Sequence, residues 1–548
     1  MRINPCFRAP AFVMAISLMM VLQSAALQPA PVRDADAKCV SCHAKIYRSY
    51  LETPMANASG LAMEKLRPGT YMHSRSNTEY NITARDGGAE LAYRSLSEPG
   101  VAGQMHLDYF LGSGHLGTTY LYGFGDYLFE SPVAWYATSA SYDMKPGLGE
   151  LDHMPPSLPI QSACLRCHMS SVQSSEPGTM NRYQGLPFLH GGITCESCHG
   201  ESNQHLATQG KAKILNPASL NADLRDSICI SCHLEGDVSI ERAGQSALNY
   251  RPGEPISRYL AYYVRTGANL TDRAVSEVEQ LSQSTCKRMS GDRMSCMNCH
   301  DPHYTPDASQ RVAFYRAKCL ACHNQPQFAK THHPDNNDCT SCHMPRTGAR
   351  NVLHVAWTDH RIRKLPEATV SAAQSADQGE LTAIFSPGTT QRDDAMANYQ
   401  ALLEGDRSRE PVAWDQLNAQ RSGLTNDVAA LDALGNLSAE RGEQDQAEKA
   451  FRKVLELAPS DLTALSNLGT LLAKEGKLKE GAALLNKAFD RNQDIPGLAM
   501  NLARVQCMAG DGQAARTTLT TALVYCPNVE DMRRLLTQMG NCSATGAK

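Results

Sequence analysis

The sequence predicts a mainly α-helical protein in two parts, and three observations support this fold class. A five-residue motif of two cysteines and a histidine recurs seven times between Cys39 and His343. A segment between the first two copies alternates polar and apolar residues, which is typical of β-strands. A 34-residue repeat begins near residue 428. We expect a motif-bearing domain with a small β-rich insertion, followed by an α-solenoid.

The amino-terminal residues have the character of an export signal. Arg2 and Arg8 precede an apolar run over residues 9–22, and small residues follow this run. This pattern predicts a secretory signal peptide over residues 1–26 that is cleaved after Ala26. An uncleaved membrane anchor is the alternative, because the run is close to the shortest span of a bilayer. No later segment approaches that length, so we expect an exported mature chain, periplasmic or extracellular, without a transmembrane span.

The composition limits what the protein does and how it folds. Its 52 basic and 56 acidic side chains give a formal charge of −4, which removes the electrostatic case for nucleic-acid binding. A chain of 548 residues exceeds what one hydrophobic core organises. Aromatic residues make up only 6% of it. The first domain therefore needs apolar bulk from something other than its side chains.

Fourteen of the 19 cysteines lie in Cys-x-x-Cys-His motifs. This is the attachment signature of c-type haem, in which two thiols on one helical turn bond the vinyl groups of a porphyrin and the adjacent imidazole ligates the iron. A zinc ribbon or a thioredoxin-type redox pair does not require a histidine after every cysteine pair. We therefore predict seven c-type haems in a domain over residues 33–365. The motifs are motif 1 (Cys39, Cys42, His43), motif 2 (Cys164, Cys167, His168), motif 3 (Cys195, Cys198, His199), motif 4 (Cys229, Cys232, His233), motif 5 (Cys296, Cys299, His300), motif 6 (Cys319, Cys322, His323) and motif 7 (Cys339, Cys342, His343).

Each iron has a second axial position, and other histidines are the candidates for it. His205 and His303 follow motifs 3 and 5 so closely that each is expected to serve a neighbouring haem rather than its own. Met55 is an alternative ligand for the first haem. A haem without a sixth ligand would be a catalytic candidate, and the sequence assigns no catalytic residue. The predicted distal ligands are His205, His303, His354, His360, His115, His73 and, from the adjacent pair at 332–333, His333.

The β-rich insertion is predicted over residues 70–135. Alternating residues on both sides of Asp86-Gly87-Gly88 indicate a β-hairpin. Scaffolding is its expected role, and shielding of the first haem or a binding surface are the alternatives.

After residue 365 the motifs stop. Residues 366–427 are predicted to form a linker with a helix near 392–404. Leu434-Gly435, Leu468-Gly469 and Leu502-Ala503 then recur every 34 residues, which is the tetratricopeptide period. We predict three tetratricopeptide repeats over 428–529, and a capping helix and tail over 530–548. An unrelated helical bundle is the alternative. Such a solenoid suits the docking of proteins or peptides.

Five cysteines lie outside the motifs. Cys6 leaves with the signal peptide, and an oxidising compartment allows two of Cys507, Cys526 and Cys542 to form a disulfide. Cys286 is assigned a packing role, with a disulfide or an iron–sulfur bond as alternatives.

Several short segments give the chain a resemblance to a known family. They are Cys39-x-x-Cys42-His43 with Ile46-Tyr47 and Thr53-Pro54-Met55, Gly112-Ser113-Gly114, Ile193 to Gly200, Tyr250 to Glu254, Cys299 to His303, Cys342 to Pro345 and Thr358 to Arg361. Over nearly all of the mature chain it resembles secreted bacterial multihaem cytochromes with carboxyl-terminal tetratricopeptide repeats. The motif-bearing part is similar, more distantly, to the superfamily of hydroxylamine oxidoreductase and the pentahaem nitrite reductases. That resemblance implies that His205 ligates the iron of another haem.

The chain departs from both of those enzymes. It has no Cys-x-x-Cys-Lys motif and no clear sign of a tyrosine crosslink, so the resemblance implies neither reaction. Our leading hypothesis is an electron carrier with seven haems, which exchanges electrons with redox partner proteins and docks one of them through the repeats. The alternatives are an oxidoreductase of a small nitrogen or sulfur compound at one open haem, and a scaffold for a redox complex or filament.

Overall fold

The fold is described by a computed structural model. The predicted signal peptide, Cys6 and His333 lie outside the described residues. The described residues are 34–98, 100–154, 157–266, 273–325, 327–332, 334–349, 351–352, 354–364, 379–385, 388–539 and 542.

Two antiparallel sheets build the β-rich part that follows motif 1. Its strands are β1 (Ser59–Leu61), β2 (Gly69–His73), β3 (Thr78–Arg85), β4 (Gly88–Ser95), β5 (Ala102–Leu107), β6 (Tyr109–Leu111), β7 (Gly117–Phe124), β8 (Tyr127–Glu130), β9 (Val133–Tyr136), β10 (Ser141–Met144) and β11 (Leu158–Pro159). One sheet has the order β2-β3-β4-β5. The other has the order β1-β6-β7-β8-β11, with β9 paired to β7 and to β10.

The hairpin predicted around Asp86 is present. Asp86 and Gly87 have φ angles of 51° and 81°, as a two-residue hairpin turn requires, and Tyr80 of β3 lies opposite Tyr93 of β4. Alternate residues such as Ile82 are fully buried in the core between the sheets. The prediction of a small insertion over 70–135 is nevertheless too narrow, because strands continue on both sides of it. Short strands gave too little alternation for the sequence to indicate them.

The motifs lie on short helices and turns with few buried side chains. These helices are α1 (Val40–Leu51), α2 (Ser162–Leu165), α3 (Glu196–His199), α4 (Asn203–Ala207), α5 (Ala222–His233), α6 (Glu277–Gln283), α7 (Thr285–Ser290), α8 (Arg311–Leu320), α9 (Phe328–Thr331) and α10 (Cys339–His343). Three small sheets accompany them. Their strands are β12 (Met169–Val172), β13 (Phe188–Gly191), β14 (Val238–Glu241), β15 (Leu260–Arg265), β16 (Arg346–Gly348), β17 (Ala356–Thr358) and β18 (Leu381–Ala383).

Paired helices form the last part of the chain. They are α11 (Gln391–Leu403), α12 (Glu410–Gln420), α13 (Val428–Glu440), α14 (Gln444–Leu457), α15 (Leu462–Lys474), α16 (Leu478–Phe489), α17 (Pro496–Met508), α18 (Gly512–Tyr525) and α19 (Glu530–Gln538). Each helix packs on the next. The region predicted as a linker contains not one helix but the pair α11–α12, which adds a helical pair in front of the three predicted repeats.

Close helix contacts explain the small residues of the repeat. A Cβ atom added to Gly435 of α13 would lie 2.6 Å from the Phe451 ring of α14, and one added to Gly469 would lie 2.8 Å from Leu485. The first helix of each repeat ends at a glycine in the left-handed region, where a side chain is disfavoured. These glycines also recur every 34 residues and are Gly442, Gly476 and Gly510, with φ angles of 79°, 82° and 85°.

The repeats pack against the motif-bearing part at two places. At the amino-terminal end, Ala397 and Ala401 of α11 share a core with Val238 and Tyr263 of the β14-β15-β18 sheet. At the carboxyl-terminal end, the ring of Tyr525 lies 5.1 Å from the ring of Tyr127. The repeat array therefore joins two separate sheets of the first part.

A disulfide joins Cys507 to Cys542, one of the pairings that the sequence allowed, and Cys526 is buried with its Sγ 3.0 Å from the Asp494 carbonyl oxygen. No helix among the described residues is long and apolar enough to cross a membrane.

Candidate haem cavity

One large cavity connects the cysteine motifs. Its volume is about 3160 Å³, and residues from all seven motifs line it. Protein interiors pack at nearly crystalline density and do not leave voids of this size unfilled. The cavity therefore supplies the space that the low aromatic content required, and bulky apolar groups are needed to occupy it.

Local helix geometry aims the motif side chains into this space. Motif 4 forms the last turn of α5, and motif 7 forms the whole of α10. Asp338 caps α10 by accepting hydrogen bonds from the backbone N–H groups of Thr340 and Ser341. All fourteen motif cysteines are free thiols, available for thioether formation.

Four motif histidines each face another histidine. In every pair the rings are nearly parallel, with interplanar angles between 11° and 29°. The ring centroids are 5.9 to 6.4 Å apart. The pairs are His43 with His205, His199 with His303, His300 with His360, and His343 with His332.

This separation suits a metal ion held between two imidazoles. Metal–imidazole nitrogen bonds are about 2 Å long, so two of them and the two half-rings place the centroids about 6 Å apart. Direct stacking would bring the rings closer than that. Each of the four histidine pairs would thus be able to hold one haem iron between its two imidazoles.

Backbone carbonyl groups orient these rings. An Nδ1–H that donates to a carbonyl leaves Nε2 as the nitrogen that can bind a metal. Four of the paired histidines have this arrangement at Nδ1. They are His199 with Leu215 O at 2.8 Å, His205 with Ala212 O at 2.8 Å, His343 with Arg363 O at 2.5 Å and His360 with Thr358 O at 2.8 Å.

Burial keeps several of these imidazoles neutral. Burial, and then the neighbouring His360 and His233, lower the pKa of His300 to about 4. Burial and the nearby His199 also lower the pKa of His303. A neutral imidazole is the form that ligates iron.

The structure gives two predicted distal ligands other partners. His73 is buried in the β-rich part, where its Nε2 lies 3.0 Å from Gly149 O and its Nδ1 lies 2.7 Å from Ser76 Oγ. The Nε2 of His354 lies 2.7 Å from Asp143 Oδ2. Neither residue lines the haem cavity. Both nitrogens that would bind iron are already hydrogen-bonded, which the sequence could not indicate.

Other candidates have different outcomes. His115 and Met55 line the cavity, but neither faces a motif histidine at the spacing of the four pairs. His332, the neighbour of the predicted ligand His333, faces His343, whereas His333 lies outside the described residues. Phe328 lies between His323 and His332, with its ring 5.2 Å from the first and 4.8 Å from the second.

Interactions between cysteines indicate which motifs are neighbours. Cys39 of motif 1 is hydrogen-bonded to Cys195 of motif 3, and Cys198 of motif 3 lies within electrostatic range of Cys232 of motif 4. Three further contacts extend this set. They join Cys167 of motif 2 to Cys232 of motif 4, Cys229 of motif 4 to Cys296 of motif 5, and Cys319 of motif 6 to Cys339 of motif 7.

Motifs 5 and 6 are also neighbours, because Cys299 lies within electrostatic range of Cys322. Cys286 lines the cavity beside the same Cys322, and burial raises the pKa of its thiol. Among the described residues no group of three or more histidine, cysteine or acidic side chains is arranged to hold a metal ion by itself. The arrangement of the motif cysteines around the cavity fits haem attachment.

Two protein families match parts of the chain. Residues 289–328, which contain motifs 5 and 6, match the family described as doubled CXXCH motif. Residues 139–200, which contain motifs 2 and 3, match the family described as cytochrome c554 and c-prime.

Two curated proteins are similar to separate parts of the chain. The multiheme cytochrome MtrA of Shewanella baltica (strain OS185) is 22% identical over 213 residues, which cover 36% of this chain and 57% of MtrA. The chain thus spans little more than half the length of that relative. The cellulose synthase operon protein C of Xanthomonas axonopodis pv. citri (strain 306) is 32% identical over 129 residues, which cover 21% of this chain and 8% of that protein.

Solved structures share only part of the fold. MamA from Desulfovibrio magneticus RS-1 matches with a TM-score of 0.25 and 19% identity, over 28% of this chain and 85% of MamA. YrrB, a TPR protein with an unusual peptide-binding site, matches with a TM-score of 0.24 and 17% identity, over 27% of this chain and 74% of YrrB.

The motifs, the cavity that they line and the family matches define the chain as a multihaem c-type cytochrome. It binds c-type haem through its Cys-x-x-Cys-His motifs. Its carboxyl-terminal part consists of paired helices, of which α13 to α18 follow the 34-residue period of tetratricopeptide repeats.

Proposed function

We propose that the protein is an exported electron carrier that binds seven haems. The four facing histidine pairs carry this proposal, because six-coordinate iron is typical of electron transfer rather than of substrate binding. When bound, c-type haem supplies one-electron redox chemistry. The chain supplies thiols that attach it, imidazoles that ligate it and carbonyl groups that fix the imidazoles.

The cysteine contacts support one order of neighbouring sites. Motifs 1, 3, 4, 5, 6 and 7 form a continuous series, and motif 2 branches from motif 4. We infer that electrons pass along this series. Both ends of this series reach the surface, since Cys42 of motif 1 and Cys342 of motif 7 are exposed.

We assign the distal ligands from the facing pairs. His205 serves motif 1, His303 serves motif 3, His360 serves motif 5 and His332 serves motif 7. His73 and His354 are removed from the predicted set, because their Nε2 atoms have other partners. His205 and His303 each serve a motif other than the one that they follow, as their short spacing predicts.

The repeats are proposed to form a solenoid that docks a redox partner protein. The helical pairs α11–α12 to α17–α18 stack in series, which is the geometry of a solenoid. The export signal in the sequence and the need to attach haem outside the cytoplasm support a periplasmic or extracellular location.

The number of haems is tested by intact mass. The mature protein, produced with cytochrome c maturation, is expected to carry seven covalently bound haems. A cysteine-pair variant in motif 7, Cys339→Ser with Cys342→Ser, should carry one fewer. A wild-type mass that corresponds to fewer than seven haems would contradict the proposed number.

The ligand assignment is tested at motif 5. His360→Ala is expected to convert one low-spin haem to high-spin, because His360 faces His300 at 6.2 Å. His73→Ala should leave the spin state unchanged, since that ring has hydrogen-bond partners in the β-rich part. Electron paramagnetic resonance of the oxidised proteins measures both. A high-spin signal from the His73 variant and none from the His360 variant would reverse the assignment.

A further inference from the structure

A second, smaller cavity lies beside the haem cavity. Its volume is about 380 Å³, and we call it the Arg67 pocket. Both Lys65 and Arg67 line it, from the segment between β1 and β2. The remaining lining residues are Glu64, Leu66, Ser113, Gly114 and His115.

Arg67 is held in place by three aromatic side chains. Its backbone N–H donates to the Tyr120 hydroxyl at 3.2 Å, and its carbonyl accepts from the Tyr142 hydroxyl at 2.6 Å. Its guanidinium carbon lies 3.6 Å from the centre of the Trp135 ring. Stacking of this kind fixes the guanidinium plane and leaves its N–H edges open.

No acidic side chain among the described residues forms an ion pair with Arg67. A stacked guanidinium with open edges is a bidentate donor for a carboxylate or another oxyanion. Arginine needs no change of protonation to act in this way. The side chain is therefore pre-organised for an acceptor that no acidic side chain of the described residues supplies.

Neighbouring groups make the pocket positive. Lys65 Nζ donates to Asn57 O at 3.1 Å and to Ser113 O at 2.5 Å, which fixes its charge at the pocket wall. The Glu64 carboxylate turns towards Gly60 of β1. Lys65 and Arg67 against Glu64 leave a net positive charge.

The loop that lines the pocket is linked to motif 2 by hydrogen bonds. His115 lines both this pocket and the haem cavity. The Gly112 N–H at the start of its loop donates to Ala58 O at 2.7 Å, and the hydroxyl of the next residue, Ser59, donates to His168 O at 2.7 Å. Through Ala58 and Ser59 the loop is thus connected to the histidine of motif 2. Motif 2 is the site that branches from the proposed series of motifs.

We propose that the Arg67 pocket binds a small oxyanion next to the motif 2 haem. Arg67 supplies the bidentate contact, Lys65 supplies charge and His115 separates the anion from the haem cavity. The place next to a haem rests on the proposed function, whereas the anion contacts depend only on described protein groups. A propionate of that haem is the competing occupant, since it offers the same carboxylate chemistry.

The test is anion binding by the full-length holoprotein. Isothermal titration calorimetry with sodium sulfite, and separately with sodium phosphate, is expected to detect one site. Arg67→Gln should weaken binding by about tenfold or more, because a charge-assisted bidentate contact is lost. Arg67→Lys should give an intermediate affinity, since it keeps the charge without the fork.

Arg94→Gln is the matched control. Arg94 is an exposed arginine of β4 that pairs with Glu79, outside the pocket, and its variant should bind like the wild type. Sulfite binding should also shift the absorbance of one haem, and Arg67→Gln should remove that shift. The proposal is overturned if wild-type protein binds neither anion, or if Arg67→Gln binds as tightly as Arg94→Gln.

A propionate occupant gives a different result. The wild type would then bind no added anion, and Arg67→Gln would change the reduction potential of one haem in anion-free buffer. The result of the titration calorimetry does not depend on the number of haems. An anion site in a protein with fewer haems would retain this proposal and contradict only the proposed function.

Discussion

Whether a histidine can face a motif histidine depends on which of its two ring nitrogens is hydrogen-bonded to the protein. In His205 and His360 a backbone carbonyl takes Nδ1 and leaves Nε2 towards a motif histidine. In His354 an acidic side chain takes Nε2 instead. Sequence spacing could suggest that His205 serves a neighbouring haem, but partners such as Asp143 and Gly149 come from distant parts of the chain. No local pattern marks them.

The carboxyl group of Asp432, in the repeats, should lower the free energy of unfolding at neutral pH. Burial, and then repulsion from Asp461, raise the pKa of Asp432 to about 8. An unfolded aspartate titrates near pH 4, so between about pH 4 and 8 the folded state retains a proton that the unfolded state has lost. Folding stability therefore falls as the pH rises through this window.

Asp432→Asn should relieve that cost. We expect the variant to gain about 1–3 kcal/mol in free energy of unfolding at pH 8, and to lose this gain as the pH is lowered towards about 4. Chemical denaturation at several pH values measures it. Asp415→Asn, which removes a carboxyl group from an exposed position of α12, is the matched control. An equal gain at pH 4 and 8 would contradict the explanation.

The elements differ in how well local sequence specifies them. The 34-residue period predicted the helices from α13 to α18, because each repeat buries the same positions against its neighbours. The α11–α12 pair falls outside that pattern, so its sequence suggested a linker with one helix. The left-handed glycines, such as Gly442, share the period and were a further signal of the repeat. The short strands between motifs depend on distant partners and have no local signal.

The role of the glycines at helix contacts can be tested by comparing Gly435 with an exposed glycine of the repeats, Gly497. Gly435→Ala should destabilise the protein by about 1–3 kcal/mol, because the new methyl group would overlap the buried Phe451 ring. Gly497→Ala in α17 meets nothing within 4 Å and should be neutral or stabilise by about 0.4–1 kcal/mol. Thermal unfolding of the two variants measures the difference, and similar effects would show that helix contact is not the reason for the glycine.

Polar and aromatic contacts join the motif-bearing part of the molecule to the repeats. Arg491 pairs with Glu176 at 3.0 Å, and Tyr93 bonds to Asn528. Tyr525 packs against Phe124 and Tyr127. The repeats thus pack directly against the first part of the chain. Removal of residues 428–548 would uncover the β-rich part as well as remove the proposed docking surface.

Tyr525→Ala tests this contact. The variant should lose about 1–3 kcal/mol of stability, because a half-buried aromatic ring leaves the interface, and should be cleaved faster by protease between the two parts. Val524→Ala changes the adjacent, largely exposed residue and should behave like the wild type. If both variants show the same proteolysis pattern, the interface does not hold the parts together.

The contact of Tyr93 with Asn528 closes a loop of 435 residues. Closing such a loop has a large entropic cost that is recovered only when the packed surfaces meet, so contacts of this kind form late in folding. Six of the seven motifs, from motif 2 to motif 7, lie within that loop. We therefore expect the cysteines of these six motifs to receive their haems before the repeats close against the β-rich part.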